Sequence, residues 1–323
     1  MTSQKPDVCR FAPTTSGRAH PGTLLAALLC WLDARSRGAR LVVRLEDLDR
    51  ERCRSEYAQG LCDDFAWLGL DWDAIEYQSA QSAGHAAALD QLAAAGRLYP
   101  SAISRRALAE SGRRAPDGSW AYDNHERERL LPSGGWRSCK EPIRCRLNDG
   151  VISLRDESGL DLSQDPAAAA GDPLVVRRDG IISYQLAVVV DDARIGVNRI
   201  VRGRDIAPGT AGQVALQHLL GLPTPTYRHH LLLWEQSAGQ KLSKCHGAIA
   251  VPVLRVAYDA AGLCGFLAWC AGLIVESRPC TPGDLLTAFS WSRVRAEDQA
   301  VRWDGHQLVA IDAKSEEQRP ELR

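Results

Sequence analysis

Val8-Cys-Arg10-Phe11-Ala12-Pro13-Thr14-Thr-Ser-Gly-Arg-Ala-His20-Pro-Gly22-Thr23 is the stretch on which the fold turns. Val8–Phe11 reads as a short strand, the following Pro, Thr, Ser and Gly turn the chain, and Thr23–Arg37 repeats Leu, Ala and Trp at helical spacing. Strand, small-residue loop and helix in that order begin a parallel crossover. Working outward, Arg40–Glu46 is the next strand, Ser55–Leu68 an amphipathic helix with Ser55 as its N-cap, and His85–Ala95 a helix closed by Gly96.

Residues 101–172 break this alternation with paired arginines, Gly/Pro punctuation and short strands expected around Ile143–Leu147 and Val151–Leu154. They read as an insertion with its own small sheet. Alternation resumes with strand Pro173–Arg177, a helix from Tyr184, strand Arg199–Arg202, a helix over Thr210–Leu220 and the segment Tyr227–Leu233. Leu263–Val275 and Pro282–Phe289 read as helices, and the charged end from Asp312 as a frayed tail. The expected fold is α/β: a doubly wound parallel sheet, an inserted small α+β subdomain and a short helical C-terminal region. The expected segments are residues 1–100 and 173–248 for the two halves of the main domain, 101–172 for the insertion and 249–323 for the helical region.

Among the 323 residues, 39 basic side chains face 40 acidic ones, which excludes a uniformly cationic nucleic-acid binder. The balance conceals an asymmetry, because residues 97–146 hold eleven Arg/Lys against six Asp/Glu, a local +5 suited to a polyanion. Lysine is scarce: of Lys5, Lys140, Lys241, Lys244 and Lys314, two fall within four positions. A close lysine pair in an arginine-rich chain points to a compact ammonium on a flexible stem. Ten cysteines without a Cys-x-x-Cys pair, and no signal peptide, lead us to expect a reduced, cytoplasmic protein. The longest uncharged stretch, Ala260–Val275, is shorter than the ~20 apolar residues of a membrane span, so no membrane association is expected.

Several catalytic signatures are missing from the chain: the Gly-x-Ser-x-Gly elbow, the phosphate loop, His-Glu-x-x-His and Gly-x-Gly-x-x-Gly. Two segments remain. The loop from Arg10 to Thr23 leaves a strand and enters a helix, where unpaired N–H groups suit phosphate and Gly22 lets a nucleotide approach the backbone. The polar segment Gly239-Gln-Lys241-Leu-Ser-Lys244-Cys holds the lysine pair, whose ammonium groups can follow charge as it grows on a transferring phosphate.

Together these segments carry a resemblance. His20-Pro-Gly22-Thr23 stands where class I aminoacyl-tRNA synthetases have their histidine signature, and Lys241-Leu-Ser-Lys244-Cys where they have their lysine loop. Arg10-Phe-Ala-Pro, Arg44-Leu-Glu46-Asp-Leu-Asp-Arg, Tyr184-Gln-Leu-Ala-Val-Val-Val-Asp-Asp and Ile200-Val-Arg202-Gly-Arg-Asp narrow it to the glutamyl-tRNA synthetases. With little chain after the lysine loop, and a hydroxyl residue, Thr23, ending the histidine signature, the sequence most resembles their truncated branch, the glutamyl-Q tRNA(Asp) synthetases.

The resemblance implies a Rossmann-like class I catalytic domain that converts glutamate and ATP with Mg2+ to glutamyl-adenylate and pyrophosphate. Glutamate then passes to queuosine in the anticodon of tRNA(Asp). It assigns catalysis to His20 and Lys244, ATP binding to His20, Gly22, Lys241 and Lys244, and glutamate binding to Arg10, Phe11, Ala12, Pro13, Thr14, Glu46, Tyr184 and Arg202. L-glutamate, ATP and tRNA(Asp) are the expected partners, and a monomer the expected state. Chemically, Arg10 and Arg202 suit the side-chain carboxylate of glutamate, Glu46 its ammonium, and the Tyr184 hydroxyl its orientation. The alternatives are a glutamate-adenylating ligase with another acceptor and a catalytically silent paralogue that binds RNA or protein.

The insertion departs from the pattern. Related enzymes often hold a structural zinc with a Cys-x-Cys pair after Tyr-Pro, a tyrosine and a further cysteine. Here Tyr99-Pro100 is followed by Ser101 and Ile103, and Tyr122 and His125 are the remaining donors considered. No zinc is expected, and packing around Trp120 and Trp136 is expected to order the insertion instead.

Overall fold

The computed structural model describes residues 6–235, 240–241 and 249–311. In chain order the elements are β1 (Val8–Phe11), α1 (Pro21–Ser36), β2 (Arg40–Leu45), α2 (Ser55–Trp67), β3 (Ala74–Tyr77), α3 (Ser82–Ala94), β4 (Leu98–Pro100) and α4 (Arg105–Glu110). There follow β5 (Ile143–Cys145), α5 (Pro166–Ala169), β6 (Leu174–Val176), α6 (Tyr184–Ile195), β7 (Arg199–Gly203), α7 (Thr210–Leu220) and β8 (Thr226–His230). The last are β9 (Leu233–Glu235), β10 (Gln240–Lys241), α8 (Val251–Ala257), α9 (Ala260–Cys270), α10 (Pro282–Leu286), β11 (Gln299–Trp303) and β12 (Leu308–Ile311).

The main sheet has the order β3-β2-β1-β7-β8, with β1 parallel to β2 in the register Cys9↔Leu41 and Phe11↔Val43. Strand order therefore runs one way from β1 to β3 and the other way from β7 to β8. In a sheet of this kind the crevice beyond the strand ends at the reversal is where ligands bind. The doubly wound α/β reading holds.

Two compact units divide the chain. The first comprises residues 1–76, 201–204 and 230–323. Its core is organised by α1, which buries Leu24, Leu25, Leu28, Leu29 and Leu32, together with Phe65 of α2 and Leu263 and Leu267 of α9. A helix apolar on nearly all sides belongs in a core, and α1 is such a helix. Polar pins fix its C-terminal turns: Trp31 and Arg35 reach Asp71 at 2.6 and 3.0 Å, and the buried Asp33 accepts the Trp291 indole N–H at 2.6 Å. A four-stranded sheet of order β10-β9-β11-β12 lies in this unit. The sequence reading had only helices beyond residue 249, and β11 and β12 escaped it because their alternation is short and interrupted by polar residues.

The helix expected at Leu263–Val275 ends at Cys270, because Gly272 adopts φ +80° and a Cβ there would lie 2.7 Å from Arg295 Cγ. The tail from Asp312 lies outside the described residues. No single helix among the described residues is long and apolar enough to cross a membrane, and the nine described cysteines are all free thiols.

The second unit, residues 77–200 and 205–229, has a separate core from α3, α6, α7 and the sheet β4-β5-β6. Asp191 of α6, fully buried, accepts Gln78 Nε2 at 2.9 Å and bonds His85 Nε2 at 3.0 Å, which locks α6 onto α3. Residues 151–154 make only an isolated bridge, Ile152↔Gln164, in place of the expected strand.

Truncating Leu28 to alanine should lower the free energy of urea unfolding by ~2–5 kcal/mol, since the side chain is fully buried in a rigid core. A second outcome concerns Asp64 on α2, which meets Arg255 of α8 at 2.9 Å. Burial pushes its carboxyl up to about 6 despite the opposing pull of Arg255. The folded protein then holds a proton that the unfolded chain releases, so the contribution of Asp64 to stability falls as pH rises from ~4 through ~6. Asp64→Asn should flatten that limb in unfolding measured between pH 4 and 7; an unchanged slope would refute the assignment.

Candidate active site

The candidate site is built where β1 and β2 end. The loop after β1 is stitched to β2 by two main-chain bonds, Glu46 N–H to Pro13 O at 3.0 Å and Thr15 N–H to Glu46 O at 3.1 Å, which together form a parallel bridge between Thr14 and Glu46. This places Phe11, Ala12, Pro13 and Thr14 alongside Glu46. Arg10 sits on β1, 4% exposed, in register with Val42. Glu46 is held by Arg44, a fully buried guanidinium whose Nη2 lies 3.3 Å from its Oε1. Arg44 lies in a sequence motif that assigns it no role of its own. Its signal was position alone, a charged residue inside a strand of apolar neighbours.

His20 is the N-cap of α1, in extended conformation, with Pro21 at the first helical position. Its Nδ1 accepts the Thr23 N–H at 3.3 Å, so the neutral ring carries its proton on Nε2. A Cβ at Gly22 would stand 3.1 Å from Cε1 and 3.2 Å from Nδ1 of the same ring. The missing side chain thus makes room for the imidazole itself, a requirement that motif spacing alone does not reveal.

Arg202 lies on β7, 5% exposed, in the part of that strand belonging to the first unit. Tyr184 opens α6 of the second unit and is 37% exposed. Lys241 is paired with Trp234 across β10 and β9, while Lys244 lies outside the described residues. The chain re-enters at α8, where Val251 donates to Ala19 O at 3.0 Å, next to His20. The backbone that follows the lysine segment is thereby tied to the histidine loop. Beside that loop a cleft of about 270 Å³ is lined by residues including Arg18, Tyr57, Asp64 and Arg255.

Comparisons with known proteins bear on this arrangement. The family model for the catalytic domain of class I tRNA synthetases (E and Q) matches residues 8–263. A glutamyl-Q tRNA(Asp) synthetase of Thiobacillus denitrificans is 42% identical over 255 residues, covering 76% of this chain and 80% of the relative. One from Symbiobacterium thermophilum is 38% identical, covering 94% of this chain and 97% of the relative. Among solved structures, a glutamate tRNA ligase from Elizabethkingia meningosepticum superposes with a TM-score of 0.76 at 21% identity, over 92% of this chain and 67% of that one, which supports the fold. With the family model spanning most of the chain and close relatives aligned along nearly their whole length, the chain belongs to the class I tRNA synthetases, in the glutamyl-Q tRNA(Asp) synthetase family.

Proposed function

We propose that the protein activates L-glutamate with ATP and transfers it to queuosine in the anticodon of tRNA(Asp). The observation that carries this reading is the stitched strand end. It sets a buried cation, Arg10, and a carboxylate fixed by a second cation, Glu46, within one loop framework. An amino acid with a second carboxylate and an ammonium requires that pairing of opposite charges, and the names of the relatives point to the same substrate and acceptor.

In the first step the α-carboxylate oxygen of glutamate bonds to the α-phosphorus of ATP as the bond to pyrophosphate breaks. Negative charge grows on the phosphoryl oxygens, and His20 donates to it from Nε2–H because Nδ1 is engaged by the helix. Lys241 and Lys244 supply ammonium groups to the same charge and to the departing pyrophosphate. Arg10 and Arg202 hold the side-chain carboxylate, Glu46 holds the ammonium, and Tyr184 orients the substrate through its hydroxyl. Phe11, Ala12, Pro13 and Thr14 form the wall of the glutamate site, and Gly22 keeps the imidazole in place. Mg2+ bound to the phosphates of ATP would supply charge neutralisation there; among the described residues no group of three or more His, Cys, Asp or Glu is placed to hold a metal. In the second step a hydroxyl of the queuosine cyclopentenediol attacks the acyl carbon, forming an ester and releasing AMP.

Glutamine in this site would leave a guanidinium without its carboxylate, at a cost of about 1–3 kcal/mol in discrimination. The free thiols fit a reduced cytoplasmic setting, and we propose a monomer that uses its catalytic body to hold the anticodon arm. The segments 1–100 and 173–248 would then serve as the catalytic halves, 101–172 as the acceptor-side insertion and 249–323 as a support.

Incubation with ATP and labelled glutamate should label queuosine-containing tRNA(Asp) and leave its unmodified counterpart blank; equal labelling of both, or of neither, refutes the acceptor. Glutamate-dependent ATP–pyrophosphate exchange in the absence of tRNA should be lost in Lys244→Ala. Gly22→Ala should lower the exchange rate at saturating ATP by ~10- to 100-fold with a small change in melting temperature, because it displaces His20 and leaves the core intact. Wild-type exchange rates in Gly22→Ala would show that the imidazole can move aside freely.

A further inference from the structure

The zinc that the family resemblance implies after Tyr99-Pro100 meets a donor set that does not suit it. Ser101, 1% exposed, donates its hydroxyl to Glu126 Oε2 at 2.6 Å and accepts Arg144 Nε at 3.2 Å. The Tyr122 hydroxyl accepts the Glu126 N–H at 2.9 Å, and the Arg144 guanidinium lies 4.0 Å from the centroid of the Tyr122 ring. The second Glu126 oxygen takes Arg129 at 2.9 Å and the Ala102 N–H at 3.4 Å. Ile103 offers no donor atom, and His125, the imidazole considered as a donor, is exposed and bonded to Asp123 at 2.5 Å. The hydroxyl, the phenol and the carboxylate are thus engaged with one another, and a guanidinium stands among them. Its charge would repel a divalent ion at that distance.

The same residues perform the task of a cross-link. Arg144 continues to the Asp172 carbonyl at 2.5 Å, and the Asp172 carboxylate collects Tyr99 at 2.7 Å, Arg127 at 2.7 and 2.8 Å and the Leu147 N–H at 3.0 Å. Tyr99 and Tyr122 are each 1% exposed, whereas Trp120 and Trp136, expected to order the insertion, are half-buried with Arg114 and Arg137 over their rings. The tyrosine-centred network occupies the interior, while Trp136 packs against the edge of the second unit's core. Burial pulls the Glu126 carboxyl up, yet Ser101, the Ala102 N–H and Arg129 together hold it below the usual carboxylate range.

We propose that the insertion is closed without a metal, by the Ser101–Glu126 hydrogen bond clamped beneath the Arg144 guanidinium. The bond joins residue 101, just after β4, to residue 126 and so closes the segment between them. Two measurements independent of catalysis test this. Protein expressed with added zinc and then desalted should carry far less than one zinc per chain, and a strong chelator should leave its melting temperature unchanged. Stoichiometric zinc, or a chelator-induced fall in melting temperature, overturns the proposal. In hydrogen exchange, Ser101→Ala and Glu126→Gln should each speed amide exchange across residues 99–130 by roughly tenfold or more while leaving α1 protected. Arg144→Lys, which keeps the charge and loses the planar stack, should give a smaller increase. Exchange unchanged in both Ser101→Ala and Glu126→Gln overturns the clamp even if no metal is found.

Discussion

The main-chain exchange between Pro13–Thr15 and Glu46 is the constraint from which the candidate site follows. A loop leaving a parallel strand at a sheet's reversal point has no ladder partner by default, and its unpaired N–H and C=O groups would leave it loose. Here the two hydrogen bonds of one parallel bridge extend β1–β2 pairing past the last strand residue. The loop then reaches His20 with its direction set, and His20 can cap α1 while still presenting an imidazole. Cys30, buried on α1, adds a weak thiol bond to the Arg10 carbonyl at 3.4 Å, so helix and strand are joined on the same side. Positioning of this kind matters because misplacement of a reacting group by ~1 Å is enough to lower a rate 100-fold.

How much of this was legible in the sequence differs by element and for physical reasons. Val8–Phe11, Arg40–Leu45 and the helices beginning at Pro21 and Ser55 are long or strongly apolar, so their periodicity survives and their bounds agree within a few residues. Strands β11 and β12 did not announce themselves. Gln299, Arg302 and Gln307 interrupt their pattern, and their pairing partners include β9, more than sixty residues earlier. The motif loop and the neighbourhood of Glu46 were legible because small residues, a lone histidine and an acidic strand end are unusual together. Arg44 and the Asp191–His85–Gln78 lock were not, since nothing in one sequence tells a buried, paired charge from a solvated one.

That last limit bears on the +5 stretch from residue 97 to 146. Read as charge alone, its arginines form a face for a polyanion. In the structure many are paired with acids: Arg127 with Asp149 and Asp172 and Arg137 with Asp90, all beyond the stretch, and Arg129 with Glu126 and Glu141 within it. Arg144 is half-buried over the Tyr122 ring, and Arg114 lies over Trp120. Phosphate attraction depends on the charge remaining after such pairing, not on the number of arginines in a window. Arg105 and Arg106 at the start of α4 remain exposed, with Arg106 shared only with Glu110 one turn away. An exposed pair of this kind gains little from its neighbour and can exchange it for a phosphate at small cost. The same arginine-rich stretch therefore does two jobs. Its middle and end build the interior of the insertion, and the first turn of α4 keeps its two guanidinium groups at the surface.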